Sequence, residues 1–408
     1  MKEPKIRFKG FRGEWEKKKL GAMTSVRGGY AFQSSLFQKS GIPVVRISNI
    51  LSNGNVGGDF VYYPRLDGDT NITIHEKDVV IAMSGATTGK IARVDVGDGI
   101  LYQNQRVGLF TKTGKVDYDF LYTVLNRTHF NELLNKLLTS SAQPNASSAD
   151  IESIEMEFPE DAEEQKALSN YILSLDSLIQ STTKKIESLK QVKAASLQSM
   201  FPQEGETTPR VRFKGFEGEW SICPLKYFAK KSTEKNISMD YTITLTNSAE
   251  YGVINQRDFF DHDISNDDHI NGYYVIHHDD FVYNPRVSTA APVGPISRNR
   301  LGYSGVMSPL YLIFRVNGIN KDFLSYYFKT TLWHNYMKLE GNTGARFDRL
   351  AISDEQFFNM PIYYPKDEEE QTAIASYFTN LDRQITLHTQ RLEKLKQIKS
   401  ACLDNMFV

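Results

Sequence analysis

Arg7-Phe8-Lys9-Gly10-Phe11, followed after Arg12 by Gly13-Glu14-Trp15, decides how this chain is organised, because it is written twice. The string returns as Arg212-Phe213-Lys214-Gly215-Phe216 with Gly218-Glu219-Trp220, displaced by 205 positions. A second block, Glu163-Glu164-Gln165, Tyr171, Leu175-Asp176, Leu189-Lys190-Gln191 and Met200-Phe201, reappears as Glu369-Glu370-Gln371, Tyr377, Leu381-Asp382, Leu395-Lys396-Gln397 and Met406-Phe407, displaced by 206. Solenoid repeats have periods of roughly 20 to 50 residues. A period near half of a 408-residue chain instead means two similar domains, each with its own trailing element.

The trailing elements read as long helices over residues 163 to 201 and 369 to 407. Leu168, Ile172, Leu175, Ile179, Thr182, Ile186 and Leu189 alternate spacings of four and three, which places them on one helical seam. Ile374, Phe378, Leu381, Ile385, His388, Leu392 and Leu395 match that seam register for register. Each helix opens after a proline (Pro159, Pro365) with an Asp-x-x-Glu start, Asp161/Glu164 and Asp367/Glu370, that resembles a capping box. Thr182 and His388 put one polar residue at the same level of both seams; a residue tolerated near solvent accounts for this more simply than a register-fixing contact. Two apolar seams in one chain most simply bury each other, and a pseudo-twofold pairing runs them antiparallel. A helix of about 38 residues spans about 57 Å, enough to hold two domains at a separation comparable to, or longer than, the roughly 34–36 Å of one DNA turn.

Each globular half repeats one order of elements. Strand-like Ile42–Ile47, Asp78–Met83 and Arg106–Phe110 precede a helical stretch from about 117 to 138; Gly272–Ile276, Asp280–Tyr283 and Pro309–Phe314 precede one from about 320 to 339. Asp119-Phe120-Leu121 and Asp322-Phe323-Leu324 align at a displacement of 203, so the insertions and deletions fall in loops. A repeated framework with differing loops is what two readers of different ligands require. The expected fold is α/β (α+β), duplicated and pseudo-twofold symmetric, with domains at 1–160 and 206–365 and long spacer helices at 161–205 and 366–408, forming a coiled-coil-like stalk.

The chain is 40% hydrophobic and 24% charged, an ordinary globular composition. No apolar run is long enough to cross a bilayer and Met1-Lys2-Glu3-Pro4-Lys5 lacks a signal-peptide core, so a cytoplasmic protein with no membrane association is expected. Cys223 and Cys402, the only cysteines, have neither a disulfide framework nor metal-ligand spacing. A net charge of −1 supplies no general attraction to nucleic acid.

The doubled Arg-Phe-x-Gly-Phe-x-Gly-Glu-Trp, the doubled Glu-Glu-Gln helix, Gly41–Ser48, Met83–Lys90, Asn104-Gln105-Arg106 and Ser140–Asn145 together resemble the specificity subunits of type I restriction-modification systems over nearly the full length. The resemblance implies a non-catalytic chain whose two target recognition domains each read one part of a split target in double-stranded DNA. It implies partners as well: two modification subunits, adenine methyltransferases using S-adenosylmethionine, docked on the helices, and restriction subunits that translocate and cut DNA. No cofactor is expected in this chain.

Competing chemistry finds little support. Gly85-Ala86-Thr87-Thr88-Gly89-Lys90 has three residues between its glycines and Ile91 after the lysine, where a phosphate loop needs four and then Ser or Thr. A turn with a basic tip near DNA phosphate fits better, with a plain structural turn as the alternative. Counted from Asp261, a calcium loop would need Gly at Asn266 and Glu at Gly272. Asp261, His262, Asp263, Asp267, Asp268, His269, His277, His278, Asp279 and Asp280 therefore read as solvated loop and strand edge, and no metal site is expected. Asn284-Pro285-Arg286 lacks the second proline and aromatic residue of an adenine methyltransferase motif. A nuclease with an unrecognised site and a protein-interaction scaffold without DNA binding remain the alternatives.

Base edges are read by Arg on guanine, by Asn or Gln on adenine, and by Ser or Thr on either. In the first half the candidates are Gln103, Asn104, Gln105, Arg106, Ser140, Ser141, Gln143 and Asn145, with Arg46 and Lys90 for phosphates and Ser84, Thr87 and Thr88 in the glycine-flanked turn. In the second half they are Tyr283, Asn284, Arg286, Ser288, Arg298, Arg300, Asn342, Thr343, Arg346 and Arg349.

Overall fold

The computed structural model describes residues 3–97, 99–141, 145–259, 267–342 and 348–408. Two compact units emerge, Met1–Thr183 with Gln390–Val408, and Lys184–Thr389. Their boundaries fall inside both long helices, Ala162–Ser199 and Glu368–Asn405, so each unit holds a segment of each helix. Boundaries at 160, 205 and 365 divide the chain by element; packing divides it differently.

In the first unit a four-stranded antiparallel sheet runs in the order Val26–Arg27, Val107–Phe110, Val79–Ala82, Ile91–Arg93. Its two central strands are buried along their whole length, which explains their continuous apolar runs. Gly108 lies opposite Ile81 because a Cβ there would sit 2.8–2.9 Å from the Val26, Ile81 and Met83 side chains. A second sheet, Val61–Tyr63, Ile42–Val45, Leu101–Gln103, Thr73–Ile74, contains one parallel pairing. The second unit repeats the first sheet as Ala229–Ser232, Leu312–Val316, Phe281–Tyr283, Ile296–Arg298. Val79 lies opposite Phe110 and Arg93, and Phe281 opposite Phe314 and Arg298, so the registers correspond residue by residue. The tight turn ahead of this strand is shared too: the His75 and His277 amides donate to Asp78 and Asp280, with Lys77 and Asp279 at positive φ. The His277–Asp280 cluster is thus the second copy of a structural turn.

The helical stretches expected at 117–138 and 320–339 each break in two, into Tyr118–Leu125 with Thr128–Ser141 and Lys321–Tyr327 with His334–Glu340. Asp117 and Asn320 cap the first of each pair by accepting amide hydrogen bonds. The breaks contain Asn126 and the β-branched Thr330-Thr331, weak helix formers.

The long-helix starts correct the capping-box expectation. Asp161 accepts from Glu163 N and Asp367 from Glu369 N at 2.8 Å, but neither Glu164 nor Glu370 reaches back. Each is 1% exposed and held by a two-pronged arginine, Arg7 on Glu164 at 2.6 and 2.7 Å and Arg212 on Glu370 at 2.7 Å twice. Those arginines also donate to Gly13 O and Gly218 O. The neighbouring glutamines donate to Pro159 O and Pro365 O and accept from Asp117 N and Asn320 N, tying each helix start to the cap of a globular helix. The doubled motifs are therefore two halves of one clamp.

Within each unit the long-helix segments pack antiparallel. In the first, Asp176 meets Lys399 at 2.5 Å while Tyr171 faces Cys402. In the second, Lys193 pairs with Asp382 and Ser196 bonds Tyr377 at 2.9 Å. Leu168, Ile172, Leu175, Ile186, Leu189, Ile374, Phe378 and Leu381 are buried, each such side chain contributing about 1.5–3 kcal/mol; Ile179, Ile385, Leu392 and Leu395 are half-buried. Thr182, expected near solvent, is 5% exposed, because its spacing from Ile179 and Ile186 keeps it on the seam; His388 is half-buried. Each core is closed by a Met-Phe pair at a helix end, Met406-Phe407 in the first unit and Met200-Phe201 in the second.

Candidate nucleic-acid interface

In the first unit, backbone hydrogen bonds gather several loops at one end of the sheets. Asn104 N donates to Val45 O at 3.1 Å, Gln105 N to Tyr30 O at 2.9 Å, Met83 N to Arg106 O at 3.0 Å and Ala146 N to Met83 O at 2.9 Å. This joins the Arg46 turn, the Ser84–Lys90 turn, Asn104–Arg106 and Asn145. Gly29 permits the approach of Tyr30, since a Cβ there would lie 2.1 Å from Asn104 O. Gln105, Arg106 and Asn145 are exposed on this surface, and Asn104 is half-buried. Tyr30, 45% exposed, belongs to it as well and escaped the sequence reading, although Gly28-Gly29 before an aromatic residue was a signal of close backbone approach.

The glycine-flanked segment forms a 3-10 turn at Gly85–Thr87, with Gly85 and Gly89 at positive φ. Lys90 reaches Ser52 Oγ at 2.9 Å and Thr88 Oγ1 donates to Gly85 O at 2.7 Å. Three polar atoms here are buried without a hydrogen-bond partner: Arg46 Nε, Ser84 Oγ and Thr87 Oγ1. Buried unpaired groups cost about 1–3 kcal/mol each, and all three lie in the turns that meet at this surface. Gln103 differs: it is fully buried, its amide donates to Arg27 O and Val107 O at 2.8 Å, and it is a framework residue rather than a reader. Ser141 ends a helix, its side chain outside the described residues, as are the side chain of Ser140 and all of Gln143.

In the second unit, Leu350 N donates to Pro285 O, Val287 N to Asp348 O, and Asn342 and Ala351 exchange both bonds, so one strap joins Asn284–Ser288, Asn342 and Arg349. Arg286 and Ser288 are exposed, Arg286 standing 3.9 Å from Asp348. Asn284 donates to Asn247 O at 3.0 Å and accepts from Arg286 N, which shapes the loop. The register aligns Arg286 with Ser84 of the first unit: the framework is shared and the presented chemistry is not. Thr343 and Arg346 lie outside the described residues.

Three second-half candidates belong elsewhere. Tyr283 is buried, donates to Val293 O at 2.9 Å, and has its hydroxyl pKa pushed up by burial. Arg298 lies opposite Phe281, the far end of the strand from Asn284, and joins Asp279 and Asp322, the latter at 2.9 Å. Burial pushes the Asp279 carboxyl up, yet Arg298, with Lys321 and His278, brings it below its ordinary range. The first unit has the same pair in Arg93–Asp119 at 2.7 Å, so Arg298 is framework. Arg300 bonds Asp322 at 2.5 Å at that same far end. Among the described residues, no three His, Cys, Asp or Glu side chains are grouped to hold a metal ion.

Comparison with known proteins agrees with this duplication. Residues 12–191 and again 219–397 match the family described as the type I restriction modification DNA specificity domain. Over 189 residues the chain is 29% identical to the type I restriction enzyme MjaVIII specificity subunit of Methanocaldococcus jannaschii, a stretch spanning 44% of each protein. A solved type I restriction-modification S subunit from M. genitalium shares the fold over 100% of this chain and 99% of its own, with a TM-score of 0.59 at 13% identity. The HsdS subunit from Thermoanaerobacter tengcongensis aligns over 96% of both chains at 16% identity with a TM-score of 0.43. With one copy of the family's domain in each half and the same four-stranded antiparallel sheet in both units, this chain belongs to the type I restriction modification DNA specificity family.

Proposed function

We propose that the chain is the DNA-specificity subunit of a type I restriction-modification complex and reads a bipartite target with one unit per part. The observation that carries this reading is the pair of corresponding loop surfaces on one repeated framework, with different side chains presented: Gln105, Arg106 and Asn145 on one, Arg286, Ser288 and Arg349 on the other. Polar side chains of these types match base edges and phosphates. The long helices fix the gap between the parts and dock two modification subunits, which bring S-adenosylmethionine and the methyl-transfer chemistry; restriction subunits join through the complex. The chain itself performs no bond-making step. At a net charge of −1 it binds DNA weakly alone, because phosphate neutralisation supplies much of DNA affinity. The partners contribute that charge. No helix among the described residues is long and apolar enough to cross a membrane, which is compatible with work on DNA in the cytoplasm.

Selection from a random duplex pool by the chain purified with its modification subunit tests the reading. It should enrich two short blocks at a fixed separation. Lys90→Ala should lower affinity for every duplex alike and reduce the slope of log affinity against log salt by about one, as expected for a phosphate contact. Gln105→Ala should relax one position in one block at a cost of about 1–3 kcal/mol. A single contiguous motif, or no enrichment, would count against two separate readers.

A further inference from the structure

A cavity of about 580 Å³ opens in the second unit between the hairpin around Gly252, the edge strand Ile296–Arg298 and the helix Lys321–Tyr327. At the corresponding place of the first unit the helix carries a larger side chain. The caps Asp117 and Asn320 and the shared Asp-Phe-Leu align the two helices so that Tyr122 corresponds to Ser325. Tyr122 reaches across to Gly54 O at 3.4 Å and carries Arg93 over its ring at 5.7 Å, and burial pushes its hydroxyl pKa up to about 12. Ser325 is too short to make that bridge, and it lines the cavity.

Charge changes with shape. Val94 N donates to Asp78 O as Asn299 N donates to Asp280 O, which aligns Asp95 with Arg300; the helices align Asn126 with Lys329. Two positions that sum to −1 in the first unit therefore sum to +2 in the second. Arg300 lies over the Tyr326 ring at 5.9 Å and Lys329 stands at the rim. Arg300 shares the Asp322 carboxylate with Arg298, at 2.5 and 2.9 Å, and Asp382 is taken by Lys193 and by the Tyr326 hydroxyl, the latter at 2.9 Å. Among the described residues no carboxylate forms an ion pair with Lys329. Crowding by the walls, with the like charges of Lys193 and Arg300, lowers its ammonium pKa, so an arriving anion relieves an existing cost. Tyr326, Trp333 and His334 give the remaining wall an aromatic character, and the volume falls in the range of small-molecule sites, about 300–1,000 Å³.

We infer that this cavity binds the phosphate of a nucleotide, the phosphate held by Arg300 and Lys329 and the flat base set against the aromatic wall. An arginine with a lysine suits a phosphate, which offers several charged oxygens at once. The phosphate can come from a free mononucleotide or from the backbone of bound DNA, and the first source holds whether or not the loops read DNA.

Calorimetric titration of the full chain with AMP, adenosine and inorganic phosphate, and of Ser325→Tyr and Lys329→Gln variants, tests the site. Ser325→Tyr restores the residue of the first unit and should fold; Lys329→Gln changes only a rim charge and covers the case in which it does not. AMP binding at least ten-fold tighter than adenosine, and weakened at least ten-fold by either variant, supports the site with a free nucleotide as its ligand. No AMP binding, but a salt slope for duplex binding by the modification complex that falls by about one in Lys329→Gln, supports it with backbone phosphate. If neither nucleotide nor duplex binding responds to either variant, the inference is overturned.

Discussion

Replacement of Phe407 by alanine is expected to destabilise the first unit by about 3–5 kcal/mol, the cost of a large aromatic deletion in a core that cannot collapse to fill the gap. Phe407 is 4% exposed, stacks on Phe120 with ring centroids 5.9 Å apart, and meets Trp15 edge-on at 6.0 Å. Arg127 covers its other side at 5.0 Å and donates to Val408 O at 2.9 Å, fastening the chain end as well. Phe201 plays the same part in the second unit, stacked on Phe323 at 5.6 Å and edge-on to Trp220 at 5.8 Å. Hydrogen exchange should therefore show Phe407→Ala loosening residues of the first unit first and Phe201→Ala those of the second. A loss below about 1 kcal/mol for Phe407→Ala would mean that the Met-Phe end is an ornament on the core and not part of it.

Arg212→Ala should cost a similar amount, about 3–5 kcal/mol, because it leaves the Glu370 carboxylate buried without its partner. The pair is two-pronged at 2.7 Å, with Glu370 1% exposed, and the arginine also ties down Gly218 O. Removing both charges is different in kind: an apolar pair of similar volume, Arg212→Met with Glu370→Leu, avoids the desolvation cost of both ions and should recover most of the loss. Urea denaturation of the single and double variants measures this. Equal destabilisation in both would show that the Gly218 contact, rather than the stranded carboxylate, carries the effect. Arg7 and Glu164 should behave alike in the first unit.

What could be read from the sequence, and what could not, divides by the range of the interaction. The duplication, the long helices and the buried strands Val79–Ala82 and Val107–Phe110 rest on periodicity and apolar runs, signals local to each segment. Glu164 resembles the second half of a capping box because Asp161 lies three residues before it; its partner in the structure, Arg7, is 157 positions away, and no local pattern points there. Gln103 and Tyr283 look like surface readers by residue type, yet each follows the pairing of its strand into the interior. Polarity alone does not report depth. A comparison of the two copies would have separated Arg298, which has a framework counterpart in Arg93, from Arg286, which stands where the first copy has Ser84. The cavity beside Ser325 was legible only after the register placed Tyr122 at the same point of the fold.

The proposed function requires that the two units choose DNA independently. Its most direct measurement is genome-wide mapping of methyladenine in cells carrying the chain with its modification subunit, before and after the exposed Arg286 and Ser288 are replaced by alanine. One block of the methylated motif should relax or change while the other block and the gap between them stay as they were. If both blocks change together, or the change falls on the gap, the two surfaces do not read DNA separately.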